Sequence, residues 1–321
     1  MSLQKNQITI GEEQLPRLVT LEANTGISEF VDWHNSNKEW LETSLLKSGA
    51  LLIRGVAINT IGDFSQLMAQ ICPKSDSFLD GNSSRSKHTS NVYNASEYDN
   101  GAIIRLHTEY SYSNLWPSRI FFCCINVATT GGETTVGDAK RMLDLLSPEI
   151  VEEFERKGIT YIRNLHGGAG LGPSWQEAFE TKSKTFLEEY CQKNAIEVQW
   201  KAGDAVRLVQ VRPAIRRHPV TGDRIWFNQV DQFYPIIYGE DVFNTLMQLC
   251  NNEHDALPMY ARYGDGTEIQ QEYIEEIVKL LDEVLIPVPW QKGDLLMVDN
   301  MLSLHGRLPF TGERKVLVSM T

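Results

Sequence analysis

The chain has 321 residues, enough for one large domain or two small ones with a sizeable buried core. Hydrophobic residues make up 42% and charged residues 22%, the balance of an ordinary globular protein. A formal net charge of −12 argues against a nucleic-acid binder, which needs a basic face, and against attraction to anionic lipid.

The opening residues, MSLQKNQITIGEEQLPRL, lack the apolar run of a secretory signal. No later run is long enough to cross a bilayer, so a cytoplasmic protein is expected. Residues 37–48 read as a helix with Trp40, Leu41, Leu45 and Leu46 on one face, and Gly49 suits its C-terminal end. Residues 50–56, ALLIRGV, follow as a buried strand, and residues 63–72 as a second helix. Residues 74–100 are polar, with SDS, GNSS and SKHTSN, and read as including a mobile loop. Residues 118–128 read as a strand on which Cys123 and Cys124 point to opposite faces. With Cys72, Cys191 and Cys250 they make an odd set without CxxC spacing, which suits core packing and not a disulfide framework or a zinc site. Gly131 and Gly132 then mark a turn. Ser147-Pro148 opens a helix that Gly158 closes, and Ser174-Trp-Gln-Glu177 is a capping box. Apolar residues at 269, 273, 274, 277, 280, 281 and 284 predict an amphipathic helix. The tail returns to strands over 294–298 and 315–320. There is no internal repeat or low-complexity linker. The order of elements predicts an α+β fold with a central sheet, and leaves open whether that sheet closes on itself.

The segment Arg105-Leu-His-Thr-Glu-Tyr-Ser-Tyr112 carries the most chemistry. If it is extended, His107 and Glu109 share one face of a strand and Thr108 points the other way. An imidazole and a carboxylate so placed can take adjacent positions on a divalent metal. A third ligand must come from elsewhere, and His305, after the strand-like run ending at Asn300, is the natural candidate. Two histidines and one carboxylate on one face of iron(II) leave three positions open, the arrangement of non-haem oxygenases. His-x-Glu alone is a short pattern that arises by chance. The other histidines, His34, His88, His166, His218 and His254, sit in polar contexts and are read as solvated or structural. Arg314 follows His305 within the segment PFTGERK. Near a metal, its guanidinium fork would pair a dicarboxylate in bidentate fashion; elsewhere it would be an ordinary strand-end residue.

Five segments in order, GALLIRGV, LHTEYSYS, GGETTVGDAKRML, RHPVTGDRIWFNQ and DNMLSLHGRLPFTGERKVLVSM, give the chain a resemblance that spans nearly its whole length. It resembles the taurine dioxygenase and clavaminate synthase superfamily of 2-oxoglutarate oxygenases, and most nearly the branch that hydroxylates amino acids for peptide natural products, as in the syringomycin pathway. The resemblance implies a double-stranded β-helix (jelly roll) with flanking helices. It also implies a single oxygenase domain over residues 1–321, with a lid insertion at about 160–265. It implies iron held by His107, Glu109 and His305, and 2-oxoglutarate paired by Arg314 with help from the Thr134 hydroxyl. O2 would take the remaining site, with hydroxylation of an unactivated C–H bond as the outcome; desaturation, epoxidation and a metal-free binding relative are the alternatives. Glu109 in place of the aspartate of taurine dioxygenase points to the clavaminate synthase side. Val318 stands where many relatives carry a second arginine, which argues against a sulfonate substrate. A retained carboxylate ligand argues against halogenation.

The substrate is less legible. Residues 207–224 hold Arg207, Arg212, Arg216, Arg217 and Arg224 with Asp223 as the one acid, unusual in an acidic chain. The run reads as a solvated strand face, or as a landing site for an acidic acyl or peptidyl carrier protein presenting an amino-acid-like substrate. Tyr93, Asn94, Arg207, Phe227 and Asn228 are candidate substrate contacts, with core packing as the alternative for the aromatic and amide residues.

Overall fold

Period-two alternation of apolar side chains builds the centre of the molecule. Along Arg119–Asn126, Ile120, Phe122 and Cys124 face one core, and Phe121 and Cys123 face another. The computed structural model describes residues 6–9, 15–73, 79–81, 88–89, 92–95, 98–235 and 239–321. The larger sheet runs, edge to edge, β1 (Asn6–Thr9), β2 (Arg17–Thr25), β3 (Ala50–Val56), β16 (Leu295–Asp299), β6 (Arg119–Asn126), β19 (Lys315–Met320) and β4 (Tyr93–Asn94). All its pairings are antiparallel except β2 with β3. The smaller sheet runs β15 (Ile286–Val288), β8 (Thr134–Asp138), β17 (Ser303–Arg307) and β5 (Ile104–His107). One apolar cluster takes Leu52, Phe122, Leu296 and Val318 from the larger sheet and Leu106, Val136, Val288 and Leu304 from the smaller, so the two face each other across a shared core.

Helices cover the outer faces. The back of the larger sheet packs on α1 (Ile27–Ser36), α2 (Lys38–Ser48) and α3 (Ile61–Ile71) through Phe30, Trp33, Leu41, Leu45, Phe64 and Leu67. The helices expected over 37–48 and 63–72 are α2 and α3. Thr60 and Asp63 form a capping box that starts α3 two residues earlier than expected. The shared core is closed by α4 (Ala139–Leu145), α5 (Pro148–Lys157) and α9 (Gln271–Glu283). Ile274, Ile277, Leu280 and Leu281 of α9 are buried, at about 1.5–3 kcal/mol each. Arg105 of β5 adds an ion pair to Asp282 at 2.7 Å.

The region expected to form a lid, 160–265, carries a sheet of its own: β10 (Glu197–Trp200), β11 (Val206–Arg212), β9 (Ile159–Leu165) and β14 (Met259–Tyr263). One face packs on α6 (Trp175–Ala178) and α7 (Lys184–Lys193), the other on α8 (Glu240–Leu249) through Met247. A hairpin of β12 (Ile215–Arg217) and β13 (Arg224–Trp226) follows β11, and β18 (Phe310–Thr311) pairs with β7 (Thr130–Gly131) at the turn expected there. Most of the polar stretch expected to be a mobile loop lies outside the described residues (74–78, 82–87, 90–91 and 96–97).

Candidate metal centre

In the smaller sheet His305 and His107 are directly opposed, β17 pairing antiparallel with β5. Opposed residues on one face bring their side chains within reach of each other, and the two imidazole centroids lie 4.4 Å apart. The register depends on Gly306. A Cβ there would fall 2.4 Å from the Ile104 carbonyl oxygen and 2.8 Å from Thr135 Oγ1, so only glycine lets β17 sit between β5 and β8.

The expectation of one extended strand through His107 and Glu109 needs correction. The strand ends at His107, and Glu109 begins a turn whose next residue, Tyr110, has φ 57°. A long-range clamp sets that turn. Asn300 Oδ1 accepts from the Glu109 amide at 2.7 Å, while Asn300 Nδ2 donates to the Glu109 carbonyl at 2.9 Å and to the Pro117 carbonyl at 2.9 Å. Thr108, between His107 and Glu109, is buried. The clamp brings Glu109 Oε2 to 3.4 Å from His305 Nε2 and 3.9 Å from His107 Nε2.

The donor set suits a divalent metal. One ligand atom from each of His107, Glu109 and His305 lies within 4.8 Å of the others. His107 Nδ1 lies 2.8 Å from the Arg105 carbonyl oxygen, which can only accept. Nδ1 therefore carries the proton, and the Nε2 lone pair is left for a metal. His107 and Glu109 side chains each stay 12% exposed, so their open side remains reachable. The remaining five histidines lie elsewhere: His34 against the Phe30 ring, His88 with Asn94, His166 with Gly168 and Gly172, His218 with Asp299, and His254 with Tyr260. Nearby, Asp231 is buried with Oδ2 lacking a hydrogen-bond partner, and burial pushes its carboxyl up to about 6.

A cationic pocket lies along β8, the neighbour of β17. Arg314 Nε donates to the Gly132 carbonyl at 2.7 Å, and Nη2 reaches Thr134 Oγ1 at 3.3 Å. Gly132, at φ 74°, leaves room for the arginine stem; a Cβ would stand 2.9 Å from Arg314 Cδ. Trp290 Nε1 donates to the same Thr134 oxygen at 3.1 Å. Two donors thus occupy the acceptor sites of the hydroxyl and leave its proton to be given away. Burial first, and the like charge of Arg307 second, lower the Arg314 pKa to about 10. Arg307 is itself fixed on the carbonyls of Tyr98, Asp99 and Ala102. Asn300, Trp290 and Arg307 were not singled out in the sequence. The run ending Asp299-Asn300 was visible only as a polar turn.

The proposed substrate contacts fare differently. Tyr93 and Asn94 form the edge strand β4 against Val318 and Leu317. Phe227 is fully buried against Trp116, and Asn228 spends its amide on the Ala214 carbonyl and the Val230 amide. Arg207 reaches Asn164 Oδ1 and the Asp255 carbonyl on the insertion sheet. The arginine run is not one surface: Arg212 is buried on Asn194 and Gln210, Arg224 pairs with Glu155, and only Arg216 and Arg217 share a cavity.

The family described as "Taurine catabolism dioxygenase TauD, TfdA family" matches residues 13–321. The dapdiamide synthesis protein DdaC of Enterobacter agglomerans is 39% identical over 298 residues, 93% of this chain and 88% of that protein. A clavaminate synthase-like protein of Arabidopsis thaliana is 28% identical over 300 residues, 91% and 87% of the two chains. Among solved structures, AAD-2 in complex with Mn(II) and N-oxalylglycine aligns with TM-score 0.58 at 13% identity, covering 99% of this chain and 97% of that one. PvcB, an Fe, alpha-ketoglutarate dependent oxygenase from an isonitrile synthetic pathway, aligns with TM-score 0.53 at 15% identity, covering 100% and 91%. At these identities the structures show a shared fold. No helix among the described residues is long and apolar enough to cross a membrane.

Proposed function

Because the chain belongs to the TauD/TfdA family of dioxygenases, we propose that it is an iron(II)- and 2-oxoglutarate-dependent hydroxylase of an amino acid or amino-acid derivative in natural-product biosynthesis. The observation that carries the reading is the opposed pair His107 and His305 with the Glu109 carboxylate between them, beside the Arg314 and Thr134 pocket. The double-stranded β-helix would be the two-sheet core, and the insertion at 160–265 its lid.

In this reading His107, Glu109 and His305 hold iron(II). Bound iron supplies the redox chemistry that divides O2 between 2-oxoglutarate, released as succinate and CO2, and a C–H bond of the substrate. The protein's own residues set the geometry. The Arg105 carbonyl fixes the His107 tautomer, and Asn300 fixes the Glu109 peptide from both sides. Arg314 pairs the distal carboxylate of 2-oxoglutarate, and Thr134 donates its hydroxyl proton to the same group. Val318 is buried in β19 opposite Tyr93 of β4 and offers no charge to a substrate anion, which fits a substrate without a sulfonate.

The amino-acid class rests on the relative in dapdiamide synthesis and on the Glu109 ligand. The test is aerobic turnover with iron(II) and 2-oxoglutarate on amino acids offered free and on an acyl or peptidyl carrier protein. The expected product carries one added oxygen atom, in step with succinate. Loss of two hydrogens instead would move the assignment to desaturation. Succinate formation that no amino-acid form accelerates would overturn the substrate class.

A further inference from the structure

A second cavity lies beside the metal turn and is not used by the reading above. It has a volume of about 460 Å³ and is lined by Trp116, Ile215, Arg216, Arg217, His218 and Met301, among others. Arg216 stands out in it. Its guanidinium lies 4.5 Å above the Trp116 ring and 5.9 Å from that of Phe227. No carboxylate interacts with it among the described residues, and its Nε is buried with no hydrogen-bond partner. Burial holds its pKa below the usual guanidinium range. The aromatic rings satisfy the face of the guanidinium and leave its buried Nε–H without an acceptor.

The cavity is preformed. Its rim is the tip of the β12–β13 hairpin, which His218 pins. His218 Nδ1 accepts from the amides of Thr221 (3.1 Å) and Val220 (3.4 Å). Nε2 therefore carries the proton and faces Asp299 Oδ2 at 3.4 Å. The other Asp299 oxygen caps the amides of Met301 and Leu302 at 3.0 Å each. The carboxylate in the wall is thus occupied, and Arg216 and Arg217 give the cavity a net positive charge. Arg217 is half committed, donating to the Gly222 carbonyl at 3.1 Å. The apolar wall of Trp116, Pro213, Ile215 and Met301 suits an aliphatic stem.

We propose that this cavity is an oxyanion-binding subsite that takes a carboxylate or phosphate group at the end of an apolar stem, with Arg216 as its ion partner. A guanidinium held over an indole can offer its edge N–H groups to two oxygens at once, the geometry that carboxylate and phosphate share. The anion could belong to a free acid or to a phosphoester-bearing arm. The turn Asp299–Met301 forms part of the wall and carries Asn300, which holds Glu109. The subsite would therefore seat its ligand against the same turn that orients a metal ligand.

The test uses hexanoate, hexyl phosphate and neutral hexanol as probes of the full chain, with and without Mn(II). Binding is followed by calorimetry and by the Trp116 indole N–H resonance, assigned with Trp116→Phe. Both anions are expected to bind and to shift that resonance whether or not Mn(II) is present, and hexanol at least tenfold more weakly. Arg216→Gln should weaken both anions at least tenfold while Arg216→Lys, which keeps the charge, retains part of the affinity. Tighter binding of hexyl phosphate points to a phosphoester arm and of hexanoate to a free acid. Equal binding of hexanol and the anions, or an unchanged affinity in folded Arg216→Gln, overturns the subsite. Because the measurement does not need the metal, its failure leaves the oxygenase reading untouched.

Discussion

Thr134 accepts from both Trp290 and Arg314, and this decides what it can offer an incoming carboxylate. It contributes one neutral donor, worth about 1 kcal/mol, whereas the half-buried Arg314 contributes a charge-assisted pair worth about 2–5 kcal/mol. Arg314→Leu should therefore raise the 2-oxoglutarate requirement at least tenfold, and Thr134→Val by roughly fivefold or less. Initial rates against 2-oxoglutarate concentration check both, and a larger defect in Thr134→Val would reverse the roles. The same arginine fixes a pH dependence. Its pKa is lowered to about 10 in the free protein, and a bound carboxylate raises it again because it favours the charged form. Affinity for 2-oxoglutarate should thus be flat through neutral pH and fall as pH rises past about 10; a fall beginning near neutrality would place the responsible proton elsewhere.

At the scale of elements, the Asn300 turn is the joint between the larger and smaller sheets that matters most for the site. Its side chain makes three hydrogen bonds to buried backbone. Asn300→Ala should cost about 2–4 kcal/mol of stability and weaken metal binding by about 10–100-fold, because both the Glu109 peptide and the Pro117 carbonyl lose their partner. Urea unfolding and Mn(II) titration measure the two effects, and wild-type metal affinity in the variant would show that Glu109 is oriented by other contacts. This turn also marks where sequence reading stops. Elements with a local signature were legible: α9 from its apolar period, α2 from its period and Gly49, β3 and β19 as short apolar runs. Residue types likewise made His107, Glu109, His305 and Arg314 legible as candidates. The end of β5 at His107 was not, because the turn at Glu109 is set by a residue 191 positions away. Trp290 was missed for a similar reason, since it meets Thr134 across 156 positions. The arginines at 207–224 looked like one patch because a strand, a turn and a hairpin cannot be told from a single exposed face by charge count alone.

The whole molecule is a layered sandwich to which the insertion adds a further sheet, and the two parts are tied near the site by a buried ion pair. Asp80 and Arg163 of β9 are both almost wholly buried and paired, and the Asp80 carbonyl also accepts from Tyr112 at 2.9 Å in the segment that follows Glu109. Arg163→Met would strand a buried carboxylate and should cost about 3–5 kcal/mol, with Asp80→Asn in the same chain recovering part of it. Urea unfolding of the single and double variants measures this; an undiminished single variant would show that Asp80 takes up its proton at no cost. What the sandwich and insertion enclose is, in this account, one iron site made by two opposed histidines and a clamped glutamate. The most direct measurement is an anaerobic titration of Fe(II) into the protein with 2-oxoglutarate, followed by bound iron and by the visible charge-transfer band of the chelate. One iron per chain with the band is expected in the wild type, and loss of both in His107→Ala and His305→Ala with unchanged circular dichroism. Stoichiometric iron and an undiminished band in both variants would contradict it.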